Sequence, residues 1–148
     1  MAMANRLKRL FIYTIPAIMA LSLAGNAFAI TCPSGQQASN LPIINKTNTT
    51  LYAFSLSQKG QWASPNGTGK GLQLPPATSA GPKTESIPIC SSGEGTVMVQ
   101  IVQTPQVPSI GQAGYCQGSS ISKYGGVRVP WNGDVVINSK GHCVNDAG

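Results

Sequence analysis

The clearest pattern along the chain is alternation. Tyr52, Phe54 and Leu56 alternate with Ala53, Ser55 and Ser57, which predicts a strand with one face packed inward and the other meeting water or small neighbours. Val97, Val99 and Ile101 form a similar row, but Met98 and Val102 on the opposite row are apolar too, as in a central strand covered on both sides. Further short runs rich in β-branched and aromatic residues predict strands near residues 43–46, 50–57, 85–89, 96–103, 126–131 and 134–138. No stretch repeats apolar residues at helical spacing for even three turns, and Gly and Pro supply 26 of the 119 residues after Ala29. A helical fold is therefore not expected. The pattern predicts a single small antiparallel β-sandwich, immunoglobulin-like or jelly-roll-like, with long Gly/Pro-rich loops.

The sharpest local signal is Asn132-Gly133, between the β-prone runs Val127–Trp131 and Asp134–Ile137. Asn and Gly tolerate positive φ at both central turn positions, so a two-residue hairpin is expected, with Val129 facing Val136 and Trp131 facing Asp134. Pro130 cannot donate to a ladder, which puts its strand at a sheet edge. Residues 58–83 are dense in Gly, Pro, Ser and Thr, leaving little room for a strand, and residues 104–124 form a second irregular stretch around Cys116.

The N-terminal 29 residues change the picture. Arg6, Lys8 and Arg9 precede an apolar run from Leu10 to Ala24, and Ala27-Phe28-Ala29 ends it with small residues at the two positions a signal peptidase reads. The run contains Pro16 and falls short of the roughly 20 residues that span a bilayer. Residues 1–29 are thus expected to be a cleavable export signal and residues 30–148 one mature domain in the periplasm or outside a bacterial cell, without a membrane span. Cys32, Cys90, Cys116 and Cys143 all fall in the mature part. An even number in an exported chain predicts two disulfides, in any of three pairings. No Cys-x-x-Cys spacing and a single histidine argue against zinc.

The distribution of charge argues against nucleic acid as a partner. The formal charge is +6, but three of the ten basic residues lie in the signal. The seven that remain are spread singly and form no phosphate-tracking stripe. Groups that titrate or attack are scarce: His142, Glu85, Glu94, Asp134 and Asp146 are the mature inventory of histidine and acids. No Gly-x-Ser-x-Gly elbow accompanies His142. No catalytic residue, cofactor site or metal site is expected.

Aromatic rings in loops are the better candidates. Trp62 lies in the first long loop, Trp131 at the expected hairpin tip, and Tyr115 and Tyr124 in the second irregular stretch, all places where a ring can be displayed to a sugar or a protein. Asn45, Asn48 and Asn66 each begin an Asn-x-Thr triplet, read as turn formers in a bacterial protein. The expected recognition surface comprises Trp62, Asn66, Tyr124, Trp131 and Asp134, in a non-catalytic module for a protein or glycan partner. The alternatives are a structural or assembly subunit pairing through its edge strands, and a small exported hydrolase.

Overall fold

The computed structural model describes residues 30–118 and 120–144; the export signal expected at residues 1–29 lies outside them, as does Asp146. Nine strands follow in chain order: β1 (Gln37–Asn45), β2 (Leu51–Leu56), β3 (Trp62–Ala63), β4 (Leu72–Leu74), β5 (Lys83–Ser91), β6 (Thr96–Val102), β7 (Val127–Pro130), β8 (Val135–Ile137) and β9 (Cys143–Val144), all within the described residues. Among the described residues there is no helix. One sheet runs β5-β1-β8-β9, and the other runs β3-β2-β6-β7 with β4 also on β2. All six strands expected from the sequence are present, and β7, which carries Pro130, stands at the end of its sheet.

Leu41 and Ile43 of β1, Ile87 and Ile89 of β5, and Val135 and Ile137 of β8 meet Leu51, Ala53, Leu74, Val99, Ile101, Val127 and Val129 from the other sheet in a single buried cluster. A second, smaller cluster lies on the outer face of β2 and β6, where Phe54, Trp62 and Val102 are buried and Tyr52, Leu56, Met98 and Tyr124 pack around them. β6 is therefore covered on both faces, as its two apolar rows predict. β2 differs from expectation. Its small residue Ala53 faces the main core, while the row Tyr52, Phe54 and Leu56 belongs to the outer cluster. The cause is the segment after β2, which doubles back along it.

That segment corrects the reading of residues 58–83 as a loop without strands. Trp62 pairs with Leu56 in β3, and Leu72 pairs with Ala53 in β4. The Trp62 ring then covers Phe54, and it fits because residue 126 is glycine: a Cβ there would sit 2.3 Å from the ring. Burial of one indole outweighs the turn propensity of its neighbours.

The Asn132-Gly133 hairpin does not form. Gly133 N–H donates to Pro130 O at 2.9 Å, but Gly133 is not in the left-handed region that the primed hairpin turn demands. The chain instead turns a corner from one sheet to the other. β7 pairs antiparallel with β6, whereas β8 pairs parallel with β1 through Ile43↔Val135 to Asn45↔Ile137. The fold is thus not purely antiparallel. The corner lets Val127 and Val129 enter the core from one sheet and Val135 and Ile137 from the other, a burial gain of about 1.5–3 kcal/mol per side chain that a local turn preference cannot match.

Disulfides join Cys32 to Cys90 and Cys116 to Cys143, and none of the described cysteines is free. Such bonds persist in oxidising surroundings. The second bond ties down the stretch from 104 to 124, together with Tyr115 N–H donating to Ile101 O at 2.7 Å and Gly111 N–H donating to Tyr124 O at 2.8 Å.

Asn45 ends β1 fully buried. Its Nδ2 lies within hydrogen-bond distance of the carbonyls of Thr49, Leu74 and Pro75, and its Oδ1 accepts from Thr47 N at 3.0 Å and Thr47 Oγ1 at 2.7 Å. One amide therefore shapes the β1–β2 turn and pins the end of β4. Asn45→Ala is expected to cost about 2–3 kcal/mol by leaving buried carbonyls without a donor. Urea denaturation of the variant checks this; a loss under about 0.5 kcal/mol would show that water replaces the amide.

Candidate functional site

The structure separates the residues expected to form one surface. Trp62 is only 4% exposed, so its expected display is corrected: the indole fills the outer cluster and Nε1 donates to Tyr124 O at 3.2 Å. Tyr124 is its half-buried neighbour, with Lys123 Nζ 5.1 Å from the tyrosine ring centroid. Asn66 stands elsewhere, exposed in the turn between β3 and β4, where its Oδ1 accepts from Thr68 N at 3.1 Å and Thr68 Oγ1 at 2.6 Å. That amide oxygen holds its own turn, as expected of an Asn-x-Thr turn former. Asp134 is half-buried just past the corner that carries Trp131.

Of the residues expected to form that surface, Trp131 reaches a groove. Its side chain is half-buried, and its backbone N–H donates to Gly95 O at 3.2 Å, which fixes the backbone of the corner against the β5–β6 turn. A groove of about 440 Å³ opens beside it, lined by Gly35, Gln36, Gln37, Ala38, Ser39, Ser91, Ser92 and Gly93. The lining residues come from the start of β1 and the end of β5, which the ladder aligns as Gln37↔Ser91 and Ser39↔Ile89. The Cys32–Cys90 bond anchors both segments next to the groove. Ser91 Oγ accepts from Gly93 N at 3.0 Å and holds the turn. The groove thus presents a tryptophan, two glutamine amides and several hydroxyls, with no charged residue in its lining.

A larger cleft of about 530 Å³ lies between Val102–Thr104, Gln112–Tyr115, Gln117 and Ser139–Gly141. A third groove, about 380 Å³, runs past Ile30 and Thr31 along Leu56, Pro65, Ile89 and Met98. Sequence reasoning named Trp131 but missed Gln36, Gln37, Ser39 and Ser92, and of the larger cleft it named Tyr115 alone. The signal that finds them is the disulfide pairing. Cys32–Cys90 brings 35–39 to 91–93, and Cys116–Cys143 brings 112–117 to 139–141.

The two glutamates weighed as a carboxylate pair stay apart. Glu85 and Ser91 are six residues apart on β5, about 20 Å along a strand, and Glu94 lies beyond Ser91 in the turn. Paired-carboxylate hydrolysis needs roughly 5–9.5 Å between the two groups. His142 is exposed, and its backbone N–H donates to Asn138 Oδ1 at 3.1 Å. Among the described residues no three His, Cys, Asp or Glu side chains are grouped to hold a metal ion. No helix among them is long and apolar enough to cross a membrane.

Comparison with family models, with curated proteins and with solved structures finds no match to this chain.

Proposed function

We propose that the protein is an exported, non-catalytic binding module, an open two-sheet β-sandwich that takes a glycan in the groove beside Trp131. The observation that carries the reading is a half-buried tryptophan lining a groove beside Gln36, Gln37, Ser39 and Ser92, with no charged residue in the lining. An aromatic face suits the apolar C–H face of a sugar ring, while amides and hydroxyls exchange hydrogen bonds with its hydroxyls. A protein loop is the alternative occupant. The reading as an assembly subunit has less support, because the long edge strand β5 carries Lys83 and Pro88, the residue types that keep sheet edges from pairing.

Trp131→Ala is expected to weaken glycan binding at least tenfold, consistent with loss of an aromatic anchor worth about 1.5–2 kcal/mol. Stability should fall by only about 1–2 kcal/mol, well short of the loss of a core ring, because the residue is half-buried. Isothermal titration with a binding glycan, paired with thermal denaturation, checks both. Unchanged affinity in a folded variant would overturn the site.

A further inference from the structure

We propose that the opposite pole of the domain carries a second, independent binding site, for a saccharide bearing a carboxylate. The two sites are separated by the length of β6. Thr96 begins that strand three residues past Gly93, which lines the Trp131 groove, and Val102 ends it in the wall of the larger cleft. Seven residues span about 20 Å, so one small ligand does not touch both.

The cleft is assembled from three segments that are far apart in sequence and firmly joined. Gln117 N–H donates to Gly141 O at 2.8 Å, and Tyr115 N–H donates to Ile101 O at 2.7 Å. The Cys116–Cys143 disulfide bridges the same walls. Beneath them Gln100, fully buried, donates from Nε2 to Gln112 O at 2.9 Å and accepts at Oε1 from Ile101 N at 3.1 Å. A cleft held in this way is ordered before a ligand arrives, which removes much of the entropic cost of binding.

Its lining sets the ligand class. Gln103, Gln112 and Gln117 supply amides, Thr104, Tyr115 and Ser139 supply hydroxyls, and Lys140 is the one charged residue. Amides and hydroxyls both donate and accept, so they match a ligand dense in hydroxyl groups. Lys140 adds a positive charge and no carboxylate in the lining opposes it, so among such ligands a uronic-acid type is favoured over a neutral one.

The test is an NMR titration of oxidised residues 30–148 with tetragalacturonate, and separately with its methyl ester. The acid is expected to shift the amide resonances of residues 113–117 and 139–141 while those of 35–39 and 91–93 stay in place. The ester should bind about fivefold more weakly, and Lys140→Gln should abolish that preference. Trp131→Ala should leave the titration unchanged, so this site stands or falls apart from the Trp131 groove. Because Lys140 is exposed, its replacement leaves the fold intact, which a matching amide spectrum verifies. The proposal is overturned if the cleft amides do not move up to tens of millimolar, if acid and ester titrate alike, or if the shifts fall only at the Trp131 groove.

Discussion

Removing either disulfide is expected to bring the domain close to its unfolding threshold. The bonds close loops with sequence separations of 58 and 27 residues, for which the chain-entropy estimate gives about 4.2 and about 3.6 kcal/mol. Small domains are stable by only about 5–15 kcal/mol in total, so either loss consumes a large share and both together leave the folded state marginal. Urea denaturation of the Cys32→Ser/Cys90→Ser and Cys116→Ser/Cys143→Ser pairs should show losses near these values, with the longer loop costing slightly more. A loss under about 1 kcal/mol for either pair would mean that the unfolded chain is already compact around that loop. Function should follow stability: each bond anchors one end of the domain, and its loss should loosen the adjacent cleft first.

Trp62→Ala is expected to destabilise the protein by about 3–5 kcal/mol, the range for deleting a large buried ring. The ring covers Phe54 and Val102 and donates to Tyr124 O, so alanine leaves both a cavity and a carbonyl without its donor. Gly126→Ala should harm the same cluster from the other side, since the new methyl would collide with the indole. Thermal denaturation distinguishes this role from ligand binding. If Trp62→Ala melted like the parent protein, the outer cluster would not be a structural element. The contrast with Trp131 is the useful consequence: one tryptophan variant reports on folding and the other on recognition.

The alternating rows made the six main strands legible, because period-two hydrophobicity is a direct image of a strand between two environments. Pro130 likewise pointed to an edge. What could not be read was the pairing of distant segments. Asn132-Gly133 is a strong hairpin signal over four residues, yet Val127, Val129, Val135 and Ile137 are all buried by a corner that sends β8 to β1, and long-range burial overrode the local preference. Trp62 in a Gly/Pro-rich segment reads as displayed, and only the return of that segment along β2 buries it. The grooves were hidden for the same reason. Gln36 and Ser92 are 56 positions apart in the chain, and nothing in either stretch says they meet until Cys32 is known to bond Cys90.

Glycan recognition by the Trp131 groove is measured directly on a glycan array probed with oxidised residues 30–148 beside a folded Trp131→Ala variant. Such recognition predicts a set of bound glycans whose signals are lost in the variant while it stays folded. Glycans bound equally by both proteins, or no glycan bound by either, would contradict it.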